Sequence, residues 1–202
     1  SEVIKGAEFD NVKHIVQYWT KEDGYPLITF ENDPSSPDKI GLLKQDRFTT
    51  SGIVELEGDK VWPIPLFILR KKKSDGKIVE EKLMFDKKTM SIRNLVEDSE
   101  WVKLNPNYKA FCRVWYRGDN LKNLLPAIQS KSIDAIERWS ILYDSLSIAR
   151  AGLMPYGDVI ELLEAYSNED EYIAASQITG FFSQLIGLFP TLKEDLHVLE
   201  IY

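Results

Sequence analysis

Few of the 202 residues stand in arrangements that do chemistry. There are two histidines, His14 and His197, and one cysteine, Cys112. A helical metal site needs a second ligand about one turn away. His14 is followed by Ile15-Val16-Gln17-Tyr18, and His197 has no histidine near it, so each reads as an ordinary structural residue on a helix. Cys112 alternates with Ala110, Val114 and Tyr116 along a strand pattern. That places it inside as an inert thiol rather than a nucleophile. With no second cysteine, no intrachain disulfide forms. The carboxylates of Asn168-Glu169-Asp170-Glu171 open a helical stretch and suit the positive end of its dipole better than a metal. The sequence has no G-x-S-x-G elbow, no G-x-x-x-x-G-K-S/T phosphate loop and no G-x-G-x-x-G turn. No catalytic residue and no metal ligand is assigned.

The bulk properties narrow the classes further. Hydrophobic residues make up 44% of the chain and charged ones 28%, enough for a folded core. The net charge of −7 argues against nucleic acid or an anionic membrane as partner, since either needs a basic face. Arg70-Lys71-Lys72-Lys73 runs straight into Ser74-Asp75-Gly76-Lys77 and reads as a solvated hairpin tip. No run of 18 apolar residues, no signal peptide and no Asn-x-Ser/Thr site is present, which fits a cytoplasmic setting.

The elements change character along the chain. Phe9, Val12, Ile15, Val16 and Trp19 recur at helical spacing, with Asp10 as N-cap and Gly24 beyond the end. Pro26 forbids further helix, and β-formers follow. Residues 27–31, 39–45, 47–54, 61–69, 78–84 and 89–95 read as short strands separated by turn residues, as in a sandwich. The two prolines of Trp62-Pro63-Ile64-Pro65 place the start of their strand on a sheet edge. Residues 101–104 and 110–116 are two more strands around the turn Asn105-Pro106-Asn107, with the Cys112 face inward and Arg113 paired to a carboxylate or to backbone carbonyls.

After Tyr116 the period becomes helical. Asp119 caps a helix carrying Leu121, Leu124 and Leu125 that ends or kinks at Pro126. Ser132 caps a helix with the stripe Ala135, Trp139, Leu142, Leu146 and Ala149, stopped by Gly152. Val159, Leu162, Leu163 and Tyr166 mark another helix, and 172–188 a longer one. The box Thr191-x-x-Glu194 opens a last helix with Leu196, Val198, Leu199 and Ile201. The expected fold is multi-domain, β then α: an antiparallel β-sandwich followed by an antiparallel, solenoid-like array of helices.

Three motifs in order carry a resemblance. They are Trp19-Thr20 followed by Gly24-Tyr25-Pro26, then Trp101-x-Lys-Leu104-Asn with an aromatic-x-Arg113-Val-x-Tyr116 strand, and then Glu137-Arg138 with Leu142, Asp144, Leu146 and Ala149-x-Ala-Gly152. Trp62 and Pro65 match a further strand pattern. Together they resemble the zinc aminopeptidases of the aminopeptidase N and puromycin-sensitive aminopeptidase family, with Glu137 where an Asp is usual. The resemblance implies that 1–24 is the last helix of a catalytic domain, 25–117 a β-sandwich, and 118–202 the first helices of a C-terminal helical domain. It implies a parent enzyme that removes N-terminal residues from peptides with zinc, this portion serving as spacer and scaffold. The partners would be the catalytic domain and the remaining helices of the same protein, with peptides reached through the parent. Self-association of the cut helical end is expected. The family's H-E-x-x-H, its second glutamate and its Gly-x-Met-Glu-Asn segment are missing from these residues. Two other readings stay open: an independent interaction module, and the same portion of a catalytically dead relative.

Overall fold

The computed structural model describes residues 16, 19, 20, 24–35, 40–54 and 61–188. Val16, Trp19 and Thr20 are helical. The rest of the expected N-terminal helix with His14, and the expected terminal helix with His197, lie outside the described residues.

Among the described residues eight strands form two sheets. β1 (Tyr25–Asn32), β2 (Gly41–Thr49), β3 (Gly52–Val54), β6 (Thr89–Ile92) and β8 (Arg113–Tyr116) make the larger one. Its order is β3-β2-β1-β8, with β6 also paired to β2. β4 (Ile64–Lys72), β5 (Ile78–Phe85) and β7 (Ser99–Leu104) make the smaller one in the order β5-β4-β7. Both sheets feed one buried core that includes Leu27, Phe30, Leu43, Trp62, Leu66 and Leu104. The strands form where the sequence alternates: Ile64, Leu66 and Ile68 are buried on β4, and Pro65, Phe67 and Leu69 between them are half-buried. As expected, β4 starts as an edge, because its pairing with β7 begins only at Ile68.

Several expectations are corrected. The sheet is mixed, because β8 runs parallel to β1, with Leu27 opposite Arg113 and Phe30 opposite Tyr116. The two strands expected around Asn105 lie in different sheets, β7 in the small one and β8 in the large one, so the turn carries the chain between sheets. Residues 110–112 stay outside the strand because their backbone polar groups bond to the Asn105 side chain instead. The break expected at Asp46 falls instead after Thr49. Gln45 and Asp46 stay in the strand because Gln45 bonds the backbone of Trp62 and Lys87, and Asp46 pairs with Lys44 and Lys88.

The helical part begins with α1 (Asp119–Lys122) and α2 (Leu125–Gln129). Leu121 and Leu125 therefore do not share one helix. Gly118, not Asp119, is at the cap position of α1. Pro126 helps to open α2 rather than ending a helix, since its fixed φ and missing N–H cost nothing in a first turn. α3 (Ala135–Arg150) follows Asp134, and Ser132 is not its cap; the Ser132 hydroxyl donates to the Ala127 carbonyl at 3.4 Å. α4 (Tyr156–Glu164) and α5 (Tyr172–Leu188) complete the described elements. α3 packs against β8, α4 and α5. Its predicted stripe is too narrow: Glu137, Arg138, Ser140, Asp144 and Ser145 are buried beside Leu142, Leu146 and Ile148. Gly152 follows α3 at φ 75°, a conformation only glycine adopts freely.

Candidate functional site: a buried ionic seam between strand and helix

The polar groups buried on α3 meet polar groups from the seam between the sheets. Arg113 Nη1 donates to Asp144 Oδ1 at 3.0 Å, and its Nε donates to the Tyr25 hydroxyl at 2.9 Å. The guanidinium also lies over the Tyr143 ring, 4.7 Å from the centroid. Asp144 accepts two further bonds, from the Tyr108 hydroxyl at 2.7 Å and from the Val114 N–H at 2.9 Å. Burial pushes the Asp144 carboxyl above its usual range, and Arg113, Tyr108 and Val114 oppose that shift. Burial, with Asp144 beside it, pushes the Tyr108 phenol far up, so it stays a donor.

A second pair lies alongside. Lys103 of β7 reaches Glu137 of α3 at 3.2 Å, with both side chains almost fully buried. Lys103 Nζ donates to the Leu104 carbonyl at 2.7 Å, and Glu137 Oε1 accepts from the Asn107 N–H at 2.8 Å. Burial lowers the Lys103 ammonium, while Glu137 and Asp144 raise it. The loop between β7 and β8 is therefore held to one helix at Asn107 and Tyr108. It takes an unusual path, with Asn105, Asn107 and Tyr108 all at positive φ. For asparagine this is mild, but for tyrosine it is an outlier that the surroundings must enforce.

A third pair joins helices. Arg138 donates from Nε and Nη2 to the two oxygens of Glu169 at 2.6 and 2.7 Å, and from Nη1 to the Ile133 carbonyl. The bidentate bond holds the Glu169 carboxyl below its usual range and the Arg138 guanidinium above its own. Tyr166 donates to the Arg138 carbonyl at 2.7 Å. The acidic run before α5 is thus bound into the fold, with Asp170 paired to Lys131.

The motif residues fall into these groups unevenly. Arg113 and Asp144 meet directly. Leu104 and Tyr116 meet through the Leu104 N–H, which donates to the Tyr116 hydroxyl at 2.7 Å. Trp19 lies 6.2 Å from Trp62, ring to ring, and its Nε1 donates to the Pro63 carbonyl at 3.3 Å. Trp101 is buried in β7, and Arg138 binds Glu169. Pro26, Pro65 and Gly152 shape backbone away from the seam. Cys112 is buried on the inward face with Val114 and Tyr116, and burial pushes its thiol up, which keeps it protonated and unreactive. Sequence reasoning missed Tyr108 and Glu169 as partners. It also missed the Lys103–Glu137 pair. The spacing of Glu137 and Asp144, seven residues along a helix, was the available sign that both share a face.

The arrangement holds its three main ion pairs largely buried. It fastens a strand, a strained loop and a helix together. Comparison with known proteins then decides the kinship. Residues 101–197 match the family model described as the ERAP1-like C-terminal domain, a match that starts inside β7 and takes in the seam residues except Tyr25. The puromycin-sensitive aminopeptidase of Caenorhabditis elegans is 24% identical over 192 residues, covering 95% of this chain and 20% of that protein. This chain is similar, over 95% of its length, to members of the aminopeptidase N and puromycin-sensitive aminopeptidase family. Aminopeptidase M1-A of Oryza sativa subsp. japonica is 28% identical over 173 residues, 83% of this chain and 18% of that protein. The glutamyl aminopeptidase of Mus musculus is 24% identical, over 95% of this chain and 20% of its own length. The chain thus spans about a fifth of the length of these aminopeptidases. The Arg113–Asp144 bond links two of the motifs that carry the resemblance, the strand motif and the helix motif.

Proposed function

We propose that this chain is a non-catalytic portion of a zinc aminopeptidase that removes N-terminal residues from peptides. In this reading it is the spacer between the catalytic portion and further C-terminal helices. The observation that carries the reading is the similarity over 95% of the chain, with the Arg113–Asp144 pair inside the region that the family model matches. The ionic seam supports a scaffold role, because it fixes the angle at which the helices leave the sheets.

Zinc is held elsewhere in this reading. Among the described residues no three His, Cys, Asp or Glu side chains gather as a metal-holding group, so these residues do not fit the ion. Among the described residues no helix is long and apolar enough to cross a membrane. The single cysteine supports a cytoplasmic setting.

The test is zinc content and hydrolysis of aminoacyl-arylamides by the complete protein, beside the isolated 202 residues. The reading expects one zinc and activity in the former, and neither in the latter. A complete protein with the family's segments but no zinc and no turnover is the dead relative. One with an unrelated neighbouring domain is the interaction module.

A further inference from the structure

Phe111 is the feature that the seam does not account for. It is 70% exposed, although both its neighbours, Ala110 and Cys112, are buried. Its backbone is pinned from both sides: the Asn105 amide exchanges two bonds of 2.8 Å with Ala110, and the Cys112 N–H donates to the Ala110 carbonyl at 3.0 Å. A phenylalanine on a slack loop turns inward to leave water. This one is held out by a loop that is itself strained and tied to α3.

One side of the Phe111 ring rests on two others, Tyr25 at 5.2 Å and Trp19 at 6.0 Å. Val16, one helical turn before Trp19 and on the same side, is 53% exposed. Arg113, whose guanidinium lies 5.6 Å from the Tyr25 ring centroid, is turned into the seam toward Asp144. The result is an aromatic platform of Phe111, Tyr25 and Trp19 at the start of β1. Trp19 is fixed there by its rings and by its bond to Pro63, and so lies beside Phe111.

We propose that the Phe111 platform is the contact surface on which the polypeptide preceding Trp19 seats, through an apolar patch of the catalytic portion. This rests on the functional reading above. It adds that Phe111 is the residue setting the angle between the two portions, as a positioning residue rather than a catalytic one.

Hydroxyl-radical footprinting of the complete protein, read by mass spectrometry, tests it without reference to activity. Phe111 is expected to lose its labelling, while Ile78 on the exposed β4–β5 hairpin keeps its own. The variant Phe111→Ser is expected to loosen the preceding portion, seen as new protease cleavage before Trp19, and Phe111→Tyr to restore the intact pattern. Full labelling of Phe111 in the complete protein overturns the proposal. So does protection that appears only as light scattering shows a dimer, which makes a second copy the occupant. A protein with no peptidase activity but a protected Phe111 removes the functional reading and keeps the platform.

Discussion

Arg113 on β8 and Asp144 on α3 form a buried ion pair at 3.0 Å across the junction between sheet and helix. Asp144 also accepts from the Val114 N–H and the Tyr108 hydroxyl. One carboxylate thus fastens the strand backbone, the strand side chain and the loop before it. Removing one partner of such a pair leaves a buried charge uncompensated. Asp144→Asn is expected to destabilise the protein by about 3–5 kcal/mol. The double variant Arg113→Met, Asp144→Leu is expected to cost less than Asp144→Asn alone. Denaturant unfolding measures both, and equal losses would show that the charges are not the important term.

Asn105 does two jobs, and a pair of variants separates them. It sits at φ 53°, and its amide bonds Ala110 on both polar groups. Asn105→Gly keeps the backbone path and loses the bonds. Asn105→Ala loses both, and is expected to be less stable than Asn105→Gly by about 1 kcal/mol. Thermal or urea unfolding of the two variants gives the comparison.

The overall succession of strands, then helices, was legible from the sequence, because it follows from periodicity and turn residues. The inward Cys112 face was legible for the same reason. The parallel pairing of β1 with β8 was not, because alternation gives a strand its face but not its neighbour. The helix caps also failed at Asp119 and Ser132. Backbone bonds close those turns, and no side chain caps α1 or α3. The seam was half visible: Arg113 was expected to pair with a carboxylate or with backbone carbonyls, and it is the carboxylate of Asp144 that it meets, yet the burial of Lys103 against Glu137 has no signature in local spacing.

The Arg138–Glu169 bond carries a pH signature. The Glu169 carboxyl is held below its unfolded value by the guanidinium. Its contribution is therefore present above the unfolded value of about 4.3, and is lost as pH falls through the lower folded value. The stability gap between the native protein and Glu169→Gln is expected to be constant near neutrality and to shrink in acid. A gap that widens in acid would contradict the assignment.

Cys112 offers a direct probe of the core. Its buried, protonated thiol is expected to react with a maleimide only as fast as the protein unfolds. Labelling rates that track denaturant concentration would match this, and rapid labelling of the native protein would not.

The helical end keeps an open apolar face. Tyr156 stacks on Phe181, Phe181 meets Phe182, and Ile160 lies one turn along α4; all but Phe181 are exposed. The isolated 202 residues are expected to self-associate with rising concentration, measured by light scattering, and Phe182→Ser to weaken it. A strictly monomeric chain would remove the expectation.

The parallel pairing of β1 and β8 also sets an order of events during synthesis. Tyr25 and Arg113, which bond across that pair, are 88 residues apart in the chain. At translation speeds of roughly 5–20 residues per second, β1 leaves the ribosome on the order of 5–20 seconds before β8 exists. Through that interval β1 has β2 on one side and nothing on the other, although Pro26 to Phe30 are all buried in the finished fold. An unpaired strand of that kind is the sort that nascent-chain chaperones bind, and its exposure ends when the Arg113 strand emerges and docks.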